Sequence, residues 1–224
     1  MAEKNWTLYG ALLLFTIFTA SSLRAAEAVI SRGTVSLSGG LDVSGAHMEV
    51  DEKKLTDADE KTNSLGTDIH IGYFPFDNLE VGLLVSYAST AKELESGWDM
   101  DQSILTVGPY VYYHLPVTAN LFLILGGGAG VSMQSNQSDC KGTYDGTAYK
   151  SSEEKEGNGF YYGVNVGAEN FITDSVSLYG ALTYLQMDMD GDVTYKETDL
   201  ATQKEKFDES QTKTGVSIGI RVYF

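Results

Sequence analysis

The chain has 224 residues and is strongly acidic, with 31 Asp and Glu residues against 15 Lys and Arg residues and a formal net charge of −16. Binding to a phosphate backbone requires a basic surface, so this balance excludes nucleic-acid binding as a main activity. The single cysteine, Cys140, excludes an internal disulfide. We expect an inert loop thiol, with an intermolecular bridge as the alternative.

The first residues have the pattern of a secretory signal peptide. Lys4 precedes an apolar run over residues 8–20, which is shorter than the roughly 20 residues that a membrane-spanning helix needs. Ala26-Glu27-Ala28 supplies an A-x-A cleavage site, and a cut after Ala25 or Ala26 also fits. We therefore expect residues 1–28 to be a signal peptide and residues 29–224 to form one domain.

Eight segments then alternate apolar and polar residues, as β-strands with one apolar face do. In chain order they cover residues 34–44, 65–73, 79–88, 105–114, 121–131, 160–169, 176–184 and 212–224. The last is the clearest, because every second residue back from the terminus is apolar: Phe224, Val222, Ile220, Ile218 and Val216. Pro109 interrupts the fourth segment and should mark a bulge or a local weakness, since proline cannot donate to the ladder.

The connections alternate between short turns and long polar stretches. The turns fall near residues 75–78, 116–120 and 172–175, and the polar stretches cover residues 47–63, 90–101, 133–158 and 187–211. A transmembrane β-strand needs roughly 9 to 11 residues, and an even strand number leaves both termini on one side. The pattern predicts an all-β fold, an eight-stranded antiparallel up-and-down transmembrane β-barrel with the polar stretches as external loops.

Aromatic residues are expected to form two interfacial girdles on the outer wall of this barrel. Tyr73, Tyr113 and Phe224 fall at the turn end of the apolar faces. The residues at the loop end are Tyr87, Phe160, Tyr162 and Tyr184.

The terminal Val222-Tyr223-Phe224, the strand VGPYVYY at residues 107–113 and the Gly-rich strands near Gly126 and Gly167 resemble small outer-membrane β-barrels of the OmpA, OmpX and opacity-protein type. The resemblance covers the whole mature chain and implies a bacterial outer-membrane location, among outer-membrane lipid and lipopolysaccharide. It also implies that Phe224 is the signal read by the barrel-assembly machinery. The family includes structural tethers, adhesins and a few lipid-modifying enzymes. No peptidoglycan-binding domain follows the barrel, so we do not expect wall tethering.

The interior of an eight-stranded barrel is just wide enough for side chains to fill. Bulky residues are predicted to point inward, namely Leu84, Tyr110, Tyr112, Phe122, Tyr161, Tyr179 and Tyr223. Gly126, Gly128, Gly130, Gly163 and Gly167 would leave space for their rings. Glu80, Glu169 and Arg221 are also inward near the turn end, which predicts an interior charge cluster that plugs the barrel.

The sequence offers little for catalysis or metal binding. No histidine lies in a short run with serine and an acidic residue, so we expect no enzyme, no catalytic residue and no cofactor. Asp188, Asp190 and Asp192 are weak candidates for a Ca²⁺ site. Their glycine is misplaced for an EF-hand loop, so a solvated acidic loop is the preferred interpretation.

The function is expected to lie outside the membrane. The four polar stretches carry 23 of the 31 acidic residues, and Trp98, Tyr144, Tyr149 and Tyr195 add aromatic contact residues. We therefore expect a structural or adhesion-like surface-interaction role with an unknown extracellular partner. A narrow small-solute porin and a lipid-modifying barrel enzyme are the alternatives.

Overall fold

The computed structural model describes residues 30–49, 60–94, 98–144, 147–197 and 202–224, so the predicted signal peptide lies outside the described residues. The strands are β1 (Val35–Glu49), β2 (Glu60–Phe76), β3 (Leu79–Leu94), β4 (Trp98–Pro116), β5 (Leu121–Tyr144), β6 (Thr147–Phe171), β7 (Val176–Glu197) and β8 (Gln203–Tyr223). Neighbouring strands are antiparallel, and β8 pairs with β1 to close an eight-stranded barrel. The predicted fold is confirmed. Within these ranges, no helix has the length and apolar character needed to cross a bilayer.

The last residue of the chain takes part in the seam that closes the barrel. The backbone N–H of Phe224 donates to the carbonyl of Val35 at 2.9 Å, and the N–H of Val35 donates to the carbonyl of Phe224 at 3.2 Å. From there β1 and β8 stay paired as far as Glu49 and Ser210. Both ends of the barrel domain are therefore held by the same hydrogen-bond ladder.

The outer wall is apolar, and the interior carries polar groups. Leu41, Leu65 and Val164 are 60%, 62% and 58% exposed, whereas inward Glu80 and Arg221 are almost completely buried. This arrangement suits lipid outside and a packed lumen inside. All seven predicted girdle residues lie on the exposed face: Tyr73, Tyr87, Tyr113, Phe160, Tyr162, Tyr184 and Phe224.

The strands are longer than predicted. They run from 15 residues in β1 to 25 residues in β6, against the roughly 9 to 11 residues that cross a bilayer. The predicted loop assignments for residues 90–101, 133–158 and 187–211 are wrong, because Ala91 still pairs with Asp101, Ser138 with Glu153 and Asp190 with Asp208. Above the lipid, the outer face needs no apolar residues, so a strand there lacks the outward apolar residues by which the sequence pattern was recognised.

Two proline-containing sites behave differently in the sheet. Pro109 pairs with Leu83 on β3, and the β4–β5 register is the same on either side of it, so Pro109 interrupts pairing without forming a bulge. A register shift occurs instead between Tyr73 and Phe76 of β2, which flank Pro75. The end of a strand tolerates a proline and such a register shift, because few ladder hydrogen bonds are lost there.

Candidate functional site

The predicted charge cluster lies in the lumen near the turn end, the barrel rim that carries the three short turns. Arg221 Nη1 lies 3.4 Å from Glu80 Oε2 and 3.2 Å from Glu169 Oε2. The three residues come from β8, β3 and β6 and are at most 1% exposed. The structure therefore brings together in the lumen, from strands on different sides of the ring, the three residues that the alternation pattern points inward.

His114 of β4 is a fourth member that the sequence analysis did not assign to the cluster. Its Nε2 lies 2.8 Å from Glu80 Oε2, and its Nδ1 lies 3.1 Å from Glu169 Oε2. When both carboxylates are ionised, His114 makes both hydrogen bonds only if each ring nitrogen carries hydrogen. With that imidazolium, the cluster has two positive and two negative charges. The sequence does indicate that His114 points into the lumen near the cluster, because it lies on the same inward face as Tyr110 and Tyr112 and close to the turn.

Hydroxyl groups donate further hydrogen bonds to the two carboxylates. Ser36 Oγ and Tyr110 OH donate to Glu80 Oε1, the latter at 2.8 Å. On the other side, Ser177 Oγ and Tyr223 OH donate to Glu169 Oε1, the latter at 2.6 Å. Buried charges are tolerable when they are paired and hydrogen-bonded, and costly when one partner is removed. The cluster is therefore a stable structural element only as a complete unit.

Apolar layers lie on both sides of these charges. Towards the turn end, buried Ile30, Phe74, Phe122, Phe171 and Tyr223 pack together, with the Phe171 and Tyr223 ring centroids 5.0 Å apart. Towards the outer end, a second layer consists of Tyr110, Tyr112, Ile124 and Tyr179, with Leu84 against it. The predicted aromatic filling of the lumen is confirmed, and the charges lie between two apolar layers.

Glycines make room for this filling. A Cβ atom on Gly82 would collide with the Tyr110 ring, and one on Gly72 would collide with the Glu80 carboxylate. The same holds for Gly126 against Tyr112 and for Gly130 against Tyr161, as predicted. At Gly82, Gly126 and Gly130 the Cβ would also meet a backbone carbonyl of an adjacent strand, whereas at Gly163 and Gly167 its nearest contacts are atoms of β7 that belong to no ring. Those two glycines serve close strand packing more than ring packing.

A further apolar group fills the lumen nearer the outer end. Ile104, Tyr161, Met187 and Met189 are buried there, with Leu185 and Phe207 packed against them. Beside them, Lys155 forms an ion pair with Glu209, and its Nζ lies 4.0 Å from the Phe207 ring centroid. Side chains therefore fill the lumen both around Arg221, near the turn end, and around Met187, nearer the outer end.

His70, in the middle of the barrel, has an acidic partner and a neighbouring serine. Its Nε2 lies 3.0 Å from Asp68 Oδ1, which also accepts a hydrogen bond from Tyr179 OH at 3.0 Å. Ser38 is the cross-strand partner of His70, but Ser38 Oγ makes no hydrogen bond to any described residue. The His70 ring packs against Tyr110, with centroids 5.2 Å apart. These residues form a packed polar contact in which the serine is not coupled to the histidine.

The three candidate metal ligands lie on the outward face of β7, and not in a loop as predicted. Asp188, Asp190 and Asp192 are all exposed, and Ser210 Oγ donates to Asp188 Oδ1 at 2.7 Å. Alternate residues on a strand stand roughly 6 to 7 Å apart, so the three carboxylates form a column and do not converge on one point. The part of the chain that the structure describes contains no group of three or more His, Cys, Asp or Glu residues arranged to hold a metal.

Two other predictions concern residues near the outer end. Cys140 lies in β5 and is buried, so its assignment to a loop is wrong. Tyr195 is 38% exposed near the end of β7, as a contact residue would be. The side chains of Trp98, Tyr144 and Tyr149 lie outside the described part of the structure.

Comparisons with known proteins agree with this architecture. A family model described as "Outer membrane protein beta-barrel domain" matches residues 10–217. No curated protein matches the chain. Neisserial surface protein A superposes on 86% of this chain and 100% of its own, with 15% identity and a TM-score of 0.54. The outer membrane protease OmpT from Escherichia coli superposes on 91% of this chain and 99% of its own, with 10% identity and a TM-score of 0.54. At these identities the structures share a fold alone.

Proposed function

The chain belongs to the outer-membrane β-barrel family, and we propose that it acts as a surface-interaction protein, binding an extracellular partner through its acidic outer end. Membership in this family implies the bacterial outer membrane as its location. The turn end, with both chain termini, then faces the periplasm, and the long ends of the strands project from the cell.

One observation carries this proposal: the lumen is filled while the strands continue far past the membrane. β5 and β6 have 24 and 25 residues, about twice the 9 to 11 that span a bilayer. A transport pathway through the barrel would need an open lumen. A rigid sheet that projects into the medium is suited to presenting side chains to a partner.

The projecting sheet has a dense negative surface. Its outward, exposed carboxylates include Glu154, Glu156, Asp188, Asp190, Asp192 and Asp208. Such a field attracts cations and basic proteins and accelerates their association. The proposed partner is therefore a basic surface, and the contact residues lie on strands as well as in the loops between them.

The alternative functions have less support in the structure. A role as a narrow porin is disfavoured because side chains fill the lumen in two places. A solute would have to displace the buried Arg221 cluster and the Met187 cluster to pass. A serine hydrolase would need a serine coupled to its base, and Ser38 is not coupled to His70. The likeness to a protease is one of fold, so we propose a non-enzymatic role.

Two measurements test the proposed function. The refolded barrel in a planar bilayer should give no steady current, because its lumen is filled. Vesicles carrying the barrel should bind an immobilised lysine-rich peptide, and not its glutamate counterpart, with binding that weakens as salt rises. A variant with the outer ends of the β5–β6 and β7–β8 hairpins shortened should lose this binding while still folding. A steady current, or binding that survives both high salt and the shortening, would refute the proposal.

A further inference from the structure

A groove of about 950 Å³ crosses the outer surface of the barrel where the lipid-facing wall passes into the projecting sheet. The chemistry of its lining changes from strand to strand. An apolar part comes from β3, β4 and β5, an acidic part from β6 and β7, and a basic part from β8. The side chains that define these parts are Tyr87, Leu105 and Met133, then Glu156 and Asp192, then Lys204 and Lys206. The groove therefore presents apolar, acidic and basic groups in that order.

The groove rises from the membrane surface into the medium. Its apolar part lies on a row of cross-strand partners: Tyr87, Leu105, Met133, Asn158, Asp190 and Asp208. Glu80 on β3 and Arg221 on β8 contact each other across the lumen, although Arg221 lies farther below this row along its strand than Glu80 does. The strands therefore tilt so that the row climbs from β3 to β8. The charged parts of the groove consequently lie farthest from the membrane, where an extracellular partner reaches them.

Three charged residues of the groove are direct neighbours: Glu156 on β6, Asp192 on β7 and Lys206 on β8. All three are exposed, and none of them forms an ion pair with a described residue. Farther out, by contrast, Glu154 already pairs with Lys196 at 2.8 Å. Like charges directly opposite each other destabilise a sheet. Because Lys206 lies on the far side of Asp192, the space between the two free carboxylates favours a cation from outside the chain.

The spacing of the three parts matches that of side chains on an extended peptide. Adjacent strands lie about 4.8 Å apart, so β5, the midpoint between β6 and β7, and β8 follow one another at about 7 Å across the sheet. Alternate side chains of an extended chain share one face and stand roughly 6.6 Å apart. Three such side chains therefore reach the apolar, acidic and basic parts in turn.

We propose that this groove binds an extended segment of the extracellular partner in which an apolar, a basic and an acidic side chain follow one another at alternate positions. This inference rests on the proposed function and specifies the partner further. The apolar side chain packs on Leu105 and Met133. The basic side chain donates to Glu156 and Asp192, a task for which the five N–H donors of arginine are suited. The acidic side chain accepts from Lys206.

Two peptides of one composition and different order test this arrangement. The barrel in nanodiscs is titrated into fluorophore-labelled Leu-Ser-Arg-Ser-Glu or Arg-Ser-Leu-Ser-Glu, both with blocked ends, and binding is measured by fluorescence anisotropy. Only the first peptide places its arginine between an apolar and an acidic side chain. We expect it to bind about fivefold more tightly or better, because the second peptide cannot set all three side chains opposite their partners.

A charge reversal at Lys206 tests the third contact separately. Lys206→Glu should weaken binding of Leu-Ser-Arg-Ser-Glu several-fold and strengthen binding of Leu-Ser-Arg-Ser-Lys, because the preferred charge at the last position is reversed. Arg32→Glu makes the same change of charge at an exposed residue near the turn end. It is the control and should leave both affinities unchanged. A gel-shift assay of heat-modifiable mobility confirms that each variant is folded.

The outcomes separate this inference from the proposed function. Equal binding of the two peptides of one composition, or no reversal in Lys206→Glu, would overturn the inference. The proposed function would still stand if the same barrel bound the lysine-rich peptide in a salt-dependent way. A barrel that binds neither the lysine-rich peptide nor Leu-Ser-Arg-Ser-Glu would overturn both.

Discussion

Arg221 and Glu169, which lie 52 residues apart in the chain, meet inside the barrel with Nη1 and Oε2 separated by 3.2 Å. Neither side chain reaches solvent, with exposures of 1% and 0%. β6 and β8 both pair with β7, so these three strands alone bring the two residues near each other. Glu80 comes from β3 and meets Arg221 across the lumen, with Oε2 3.4 Å from Nη1, so this second contact depends on the closed barrel and reports on it.

Arg221→Met should destabilise the barrel by about 3 to 5 kcal/mol, since it leaves two buried carboxylates with only His114 to balance them. Adding Glu169→Gln or Glu80→Gln should recover part of that loss, because one uncompensated charge is then removed. Urea titrations of folding in lipid vesicles measure both. The pairing is incorrect as described if neither double variant is more stable than Arg221→Met alone.

His114 gives a second and independent test of the same cluster. His114→Phe keeps an aromatic ring beside Phe74, whose centroid lies 5.2 Å from the imidazole, but removes both hydrogen bonds to the carboxylates. We expect a loss of several kcal/mol, in the range for breaking a buried ion pair, and partial recovery when Glu80→Gln is added. Equal stability of His114→Phe and the parent would mean that the imidazole carries no charge-balancing role.

The lumen shows which parts of the site the sequence could predict. Alternation in β3, β6 and β8 is strong enough to place Glu80, Glu169 and Arg221 inward, because the outward positions beside them are apolar. His114 has the same alternation, but nothing in its own segment identifies it as a charge partner. Its role depends on the β3–β4 register, in which Glu80 lies opposite Tyr112, and a single sequence does not supply that register.

The outer end was predicted less well, for a physical reason. In lipid, a strand must be apolar on its outer face, so the pattern is visible. Above the lipid, Asp188, Asp190 and Asp192 face water while Met187 and Met189 face the lumen. The alternation continues with its polarity reversed, because apolar residues face the lumen and charged residues face outward. A strand prediction that expects apolar residues on the outer face therefore assigns such a stretch to a loop.

The assignment of inner and outer faces predicts that a substitution to arginine destabilises the barrel by different amounts on the two faces. Leu83 is 47% exposed on the lipid side. Leu83→Arg should destabilise the barrel by roughly 2 to 4 kcal/mol, the cost of an arginine against lipid near the bilayer midplane. Ser86→Arg should cost less, because Ser86 points inward and lies opposite Asp68 on β2, whose carboxylate can pair with the new guanidinium. Vesicle folding titrations that rank Ser86→Arg as the more destabilising would reverse the face assignment.

The carboxylate column on β7 should act through its charge and not as a metal site. Replacing Asp188, Asp190 and Asp192 together by Asn should weaken binding of the lysine-rich peptide at low salt, because the exposed field loses three negative charges. The difference from the parent should shrink at high salt, where such interactions are screened. Asp174→Asn on the opposite rim is the matched control and should leave binding unchanged. Ca²⁺ and Mg²⁺ should have equal effects on the unfolding midpoint of the parent, since carboxylates about 6 to 7 Å apart on one strand face cannot enclose one ion. A midpoint raised by Ca²⁺ alone, and not in the triple variant, would instead establish the column as a calcium site.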